Sequence, residues 1–344
     1  MSGRTPKENY LGMAKNELPD HILFYNMGMP VSTDETVTRM IGPQLFNESR
    51  RNRDGGKDIW GVSYVTNMET GYQAMPEPNN FILKDIGDWE KVLIPPPMPD
   101  IDWELMAARD YEDSGIDRTQ SAVTAGGAGM GLFQTLISFM GFSEGLCALY
   151  EEPEKVKDLL NFLADFYLPI IEKTLDYYKP DIFSFADDTA AKSNPFFSPE
   201  IFRDIFKPVY KKLLQPANDR GLPIQYHNCG RCEDFLDDMT EIGVRYWDPA
   251  QTSNDFEAIK EKYGSSLVIC GGWDWKLPLS WPEYDAEQIR QTVRDSIDRL
   301  APGGGYAFRG RALGQFEDKT AAEVSRLIEQ ECYSYGRNYY TKNK

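Results

Sequence analysis

The 344-residue chain has no apolar run of the ~18 residues needed to span a bilayer. Its N-terminus lacks the basic-then-apolar pattern of a secretory signal. Positive charge is scarce: 37 Lys and Arg stand against 54 Asp and Glu, a formal net charge of −17. Such a field repels a phosphate backbone or an anionic lipid surface, so neither nucleic acid nor membrane is an expected partner. Cysteine is sparse and odd in number, with five residues: Cys147, Cys229, Cys232, Cys270 and Cys332. That count does not build a disulfide framework, and without an export signal the expected location is cytoplasmic. In a reducing compartment thiols persist as buried, metal-bound or reactive groups. Phosphate-binding loops are missing, since neither G-x-x-x-x-G-K-[ST] nor G-x-G-x-x-G occurs. No internal repeat or low-complexity tract is present.

What remains is an ordinary globular composition, 41% hydrophobic and 26% charged. Ile94-Pro95-Pro96-Pro97-Met98-Pro99 cannot be a helix interior or a central strand, so it reads as an extended connector. Residues 1–99 form an irregular N-terminal extension with the first barrel elements, and residues 100–340 the remainder of a single domain. Beyond the connector, short β-branched or aromatic runs end in turn residues and read as buried strands. They are Ser121–Ala125, Ile182–Ala186, Pro223–Tyr226, Val244–Trp247, Leu267–Ile269 and Tyr306–Phe308, with weaker candidates at Ile22–Tyr25 and Gly61–Val65. Helical patterns fill the gaps: 154–178, a helix started by Ser198-Pro199-Glu200, then 232–242, 255–263, 286–300 and 321–335. Strand and helix alternating about eight times predict an α/β protein with a covered parallel sheet. A closed (β/α)₈ TIM barrel fits eight strands, and an open doubly wound sheet is the alternative.

In such a barrel the site lies at the C-terminal strand ends. The residues there are polar or glycine: Gly126-Gly127, Asp187-Asp188, His227-Asn228-Cys229-Gly230, Asp248, Cys270-Gly271-Gly272 and Arg309-Gly310-Arg311. His227 and Cys229 stand at i and i+2 after a strand, so both can reach one rim. With Cys270 at another strand end they make a zinc set of three protein ligands and an open position. The alternative is a histidine bonded to neighbouring backbone and two cysteines acting as small buried hydrophobes. Cys229 and Cys232 also spell C-x-x-C, without a thioredoxin-like context. Of Asp187 and Asp188, one is expected to face the mouth, where it can hold a substrate, complete a metal site or act as general acid/base. Both equally suit a turn that caps helices. Gln251 and Asn254 are uncharged hydrogen-bonders that can face a ligand. Tyr226 and Asn228 can bond a leaving heteroatom. Trp273 and Trp275 suit either an aromatic mouth or core packing. The Gly-rich run Gly126–Gly131 reads as a loop where backbone approaches a ligand or partner.

Taken together, His227-Asn228-Cys229-Gly230, Asp248-Pro249-Ala250-Gln251 with Asn254-Asp255, Lys260–Gly264 and Gly271-Gly272-Trp273-Asp274 resemble the uroporphyrinogen-decarboxylase-like superfamily. Lys84-Asp85-Ile86 ahead of Pro95-Pro96-Pro97, and Asp187-Asp188 ahead of Ser198-Pro199-Glu200, fit the same pattern. The resemblance implies a (β/α)₈ barrel with its site at the mouth, and one of two chemistries. Decarboxylases of the family use an Arg-rich N-terminal segment and a late histidine. This chain has Tyr25-Asn26-Met27-Gly28-Met29-Pro30 in the first place and no histidine after His227. Arg309 and Arg311 keep a lyase acting on a tetrapyrrole as the alternative. The cobamide-dependent methyltransferase branch implies zinc on His-x-Cys plus a later cysteine in Pro-Gly-Cys-Gly. Here Ala301-Pro302-Gly303-Gly304-Gly305 puts Gly304 where that cysteine is expected, and Cys270 is the substitute, as in O-demethylase relatives.

The resemblance therefore implies a methyltransferase moving methyl from a small donor, of the methoxylated-aromatic kind, to the cobalt of a corrinoid protein. Zinc (His227, Cys229, Cys270) and a partner-borne cobamide are its cofactors. Asp187, Asp188, Tyr226 and Asn228 are its expected catalytic groups, and Gln251, Asn254, Trp273 and Arg309 its expected substrate contacts. The expected partners are the corrinoid protein and the donor, with a homodimer as a candidate assembly.

Overall fold

Short runs such as Ile182–Ala186 alternate large apolar residues that can be covered on both faces, which is what a parallel sheet inside a shell of helices requires. A computed structural model describes residues 3–29, 35–46, 55–67, 74–126, 131–273, 284–312 and 318–342. Its strands are β1 (Leu23–Phe24), β2 (Thr38–Met40), β3 (Gly56–Lys57), β4 (Ser63–Val65), β5 (Met75–Pro76), β6 (Ala122–Ala125), β7 (Ile182–Ala186), β8 (Ile224–His227), β9 (Val244–Ala250), β10 (Val268–Gly272) and β11 (Tyr306–Arg309). Eight of them form one sheet in the order β1-β11-β10-β9-β8-β7-β6-β2, parallel at every pairing. Neighbours in space are neighbours in sequence from β6 to β11. A doubly wound sheet would reverse its strand order at a switch point, and this one does not.

β1 and β2 are the two edges of this sheet, and the segment that follows β1 bonds to β2. Gly28, just past β1, donates its N–H to Thr38 Oγ1 at 3.1 Å, and its carbonyl accepts Met40 N–H at 3.4 Å. Gly28 has φ +74°, and a Cβ there would lie 2.8 Å from the Met40 nitrogen, so only glycine allows the approach. The fold is a (β/α)₈ TIM-barrel-like α/β architecture with an irregular N-terminal region, as the strand–helix alternation predicts.

One strand assignment is corrected. Gly61–Val65 reads as a barrel strand, but Ser63–Val65 is the centre of a separate antiparallel sheet, β3-β4-β5. The second barrel strand is instead Thr38–Met40, three residues with only Thr38 fully buried. Its hydrophobic signal is too short to read. The expected helices form at Pro153–Tyr178, Phe256–Tyr263, Ala286–Leu300 and Lys319–Gly336. The Ser198 side chain caps the helix that begins at Pro199, accepting from Ile201 N–H. Among the described residues no single helix is long and apolar enough to cross a membrane.

The barrel interior has its own small core, closed at the bottom by the N-terminal helix Pro6–Met13. Thr5 and Glu8 form a capping box at that helix's start. Lys7 ties it to the N-terminal ends of β6 and β7, through Gln120 O (2.8 Å) and the Asp181 carboxylate (2.8 Å). Tyr10 and Met13 then pack with Leu23, Tyr246, Val268 and Cys270 inside the ring. The helices cover the outer face of the strands over a second, larger core.

Candidate functional site at the barrel mouth

Alternation along the strands decides which side chains reach the mouth. On β8, Gln225 lies within the barrel, Tyr226 packs outward on Phe185, and His227 returns to the interior at the strand's last position. Register sets Ala186, His227 and Asp248 side by side, and Gly272 beside Arg309. His227 Nδ1 lies 3.3 Å from Asp248 Oδ2, and its Nε2 lies 3.7 Å from Cys229 Sγ. Asp188 closes the group: its Oδ1 accepts the Cys229 N–H at 2.8 Å and its other oxygen accepts Gln134 Nε2 at 3.2 Å. One ligand atom each from Asp188, His227 and Cys229 lie within 4.8 Å of one another, the one such trio among the described residues. All three are partly exposed.

The turn that carries Cys229 is held by side chains that bond its backbone. Gly230 has φ +90°, and a Cβ there would lie 2.5 Å from Ala191 O, so the chain can bend against that loop only at glycine. Gly230 N–H donates to Gln251 Oε1 at 2.8 Å, and Asn254 Nδ2 donates to Gly230 O at 2.9 Å.

The electrostatics centre on an ion pair. Burial alone would lower the His227 imidazole, but Asp248 and Cys229 outweigh it and hold it up, at about 10. Burial would raise Asp248, but His227, Arg309 and the Tyr25 hydroxyl hold it below the usual carboxylate range. Below Asp248 a polar chain runs down the barrel. Tyr25 Oη donates to Asp248 Oδ2 at 2.9 Å, Gln225 donates to Tyr25 Oη, and Tyr10 Oη meets Gln225 Oε1 at 3.4 Å.

Several expected site residues have other roles. Cys270 is not brought to the trio. Strand β10 runs on for two glycines, so the thiol sits one layer down, fully buried, 3.4 Å from Tyr10 Oη. There burial pushes the Cys270 thiol up. Gly304 lies before β11, at the end of the barrel opposite the mouth, so a cysteine there would not reach His227. Asp187 is fully buried and turns away from its neighbour. Its carboxylate accepts Phe133 N–H (2.8 Å), Gln134 N–H (3.0 Å) and the Tyr210 hydroxyl, capping the helix Leu132–Met140 from a distance. Asn228 is also fully buried. It accepts Thr189 N–H at 3.0 Å and donates at 2.7 Å to both Thr189 Oγ1 and Tyr226 Oη. Tyr226 in turn donates to Asp187 O at 3.3 Å.

Asn254, expected to face a ligand, bonds four backbone groups around the Cys229 turn. Gln251 supports the same turn. Trp273 packs in the outer core with its Nε1 on Thr292 Oγ1 at 2.9 Å. Trp275 and Gly127–Met130 lie outside the described residues. Arg309 does reach the interior side of the mouth, two residues past the inward Ala307, while Arg311 is exposed. The sequence pattern named His227 and Asp248 separately, not as a pair, and it did not single out Tyr25, whose only signal is its place just past a strand's C-terminal end.

Eight parallel strands in one curled sheet, an inward histidine and a Cys/Asp pair at their C-terminal ends define a (β/α)₈-barrel-like protein with a candidate metal centre at its mouth. A model of the uroporphyrinogen decarboxylase (URO-D) family matches residues 63–309, and the chain belongs to that family. The solved structure of a methyltransferase from Methanosarcina mazei matches 96% of this chain and 99% of its own, with a TM-score of 0.60 at 13% identity, which shows the shared fold. An aldolase from Escherichia coli K12 aligns over 70% of this chain and 87% of its own, at 10% identity and a TM-score of 0.25, too low to carry an argument. No curated protein matches the chain.

Proposed function

We propose that this chain is a zinc-assisted methyltransferase that takes methyl from a small donor, of the methoxylated-aromatic class, for the cobalt of a separate corrinoid protein. The observation that carries the reading is the trio Asp188, His227 and Cys229 at the mouth, with Asp248 behind His227. Imidazole, thiolate and carboxylate are the ligand types zinc takes, and three protein ligands leave the open position of a catalytic site. The fit includes a second layer, because Asp248 on Nδ1 selects the tautomer that leaves Nε2 free to ligate. When bound, zinc supplies a Lewis acid beside the leaving heteroatom, which offsets the basicity that makes an ether a poor methyl donor. In such a transfer the C–O bond would break with its electron pair left on oxygen, and the partner's reduced cobalt would supply the pair that takes up the methyl carbon, being oxidised by two electrons.

The chain's own residues orient and sequester. Gly230, Gln251 and Asn254 fix the Cys229 turn, and Asp187 anchors the helix that brings Gln134 to Asp188. The test mixes the protein, a reduced corrinoid protein and methoxyarenes, methanol or methylamines, and follows the reduced-cobalt absorbance. Its donor-dependent loss is expected. No loss with any donor, together with CO₂ release from a porphyrinogen, would favour the second reading, a tetrapyrrole decarboxylase. That reading draws on family membership and on the cation of Arg309, and it has no use for the trio.

A further inference from the structure

Among the described residues, four buried side-chain atoms have no hydrogen-bond partner: Asn26 Nδ2, Asp248 Oδ1, Ser253 Oγ and Arg309 Nη1. All four belong to residues at, or just past, the C-terminal ends of β1, β9 and β11. Buried polar atoms are nearly always satisfied, so a cluster of exceptions around one opening marks a place built for something polar. β1 is hydrogen-bonded to β11, and Tyr25 N–H donates to Phe308 O at 2.7 Å, so Asn26 and Arg309 stand on adjoining strand ends.

Their chemistry is donor-rich. Arg309 and Asn26 each offer an unmet N–H, and Ser253 can donate a third bond, against one unmet acceptor on Asp248. Asp248 does not satisfy Arg309, because its Oδ2 already serves Tyr25 and His227 while its Oδ1 is left without a bond. Ala307 on β11 faces the barrel interior and Arg309 follows two residues on, which places the guanidinium on the inner side of the ring. A ligand with two acceptor oxygens and one negative charge would meet the donors and neutralise the cation. A dianion would crowd the carboxylates of Asp188 and Asp248 nearby.

We infer that Arg309 and Asn26 form a carboxylate subsite beside the His227 centre, and that the methyl donor carries the carboxylate. The donor's identity rests on the methyl-transfer reading, whereas the subsite stands on the geometry alone. Calorimetric titration of the protein with formate, acetate, benzoate and 4-methoxybenzoate, and with neutral 4-methoxybenzamide, tests it. Wild type should bind 4-methoxybenzoate at least about tenfold more tightly than the amide, because unmet polar groups penalise the neutral analogue. Arg309→Gln should abolish that preference, Arg309→Lys should keep part of it, and Asn26→Ala should weaken it with the fold intact by circular dichroism. Carboxylate binding unchanged in Arg309→Gln and Asn26→Ala, or no carboxylate binding to wild type, would overturn the subsite. Arg309-dependent carboxylate binding without methyl transfer to any corrinoid would keep the subsite and sink the functional reading. Equal methyl transfer from anisole and 4-methoxybenzoate, indifferent to Arg309→Gln, would do the reverse.

Discussion

Asp248 Oδ2 lies 3.3 Å from His227 Nδ1 and accepts the Tyr25 hydroxyl at 2.9 Å, so one buried oxygen fixes the histidine from below. That leaves Nε2 facing Cys229, the geometry of a carboxylate–histidine–metal relay. Asp248→Asn should weaken zinc binding by roughly 10–100-fold with the fold retained, because the amide can present the wrong group to Nδ1. Competition against a chromophoric chelator measures it, and an unchanged affinity would remove Asp248 from the site.

Without metal the same pair makes stability depend on pH. The folded His227 value, about 10, is raised above the ordinary 6.5. A raised value means the contribution is fully present below pH 6.5 and is lost as pH climbs through 10. Urea midpoints of chelator-treated protein should therefore fall over that window. In His227→Gln the decline should disappear. An identical decline in both proteins would contradict the pairing.

Asn228 and Asp187 are scaffolding in this account. Asn228→Ala strips partners from Thr189 and Tyr226 in the interior, at a cost of roughly 2–4 kcal/mol. A lower urea midpoint with an unchanged slope is the expected result. A stable but inactive Asn228→Ala would show instead that the side chain meets substrate.

Asp187→Ala removes the remote cap of Leu132–Met140, which should cost about 1–3 kcal/mol and speed amide exchange at Phe133 and Gln134. Faster exchange confined to other helices would refute that role.

Local pattern carried the parallel barrel, since runs such as Ile182–Ala186 and Val244–Trp247 advertise buried strands on their own. It carried His227 and Cys229 as well, because i and i+2 after a strand share a rim. It missed β2, whose three residues hold no apolar run, and it misplaced Ser63–Val65, whose alternation looks the same in an antiparallel sheet. Depth was also illegible. Cys270 reads as a strand end only because the two glycines after it look like a turn, yet they extend β10. The Tyr25–Asp248 bond joins residues 223 apart, and no local spacing encodes it. Asp188 rather than Asp187 faces the trio because Ile182 sets the inward phase of β7; alternation in the sequence says that one of the pair faces in but not which.

Metal content tests the central claim most directly. Elemental analysis of gently purified protein should find about one zinc per chain in wild type and in Cys270→Ala, with loss in Cys229→Ser, His227→Ala and Asp188→Asn. Cys270→Ala is expected to keep its metal because that thiol lies against Tyr10 inside the barrel. Zinc lost in Cys270→Ala but retained in Asp188→Asn, or no zinc in wild type, would contradict the centre described here.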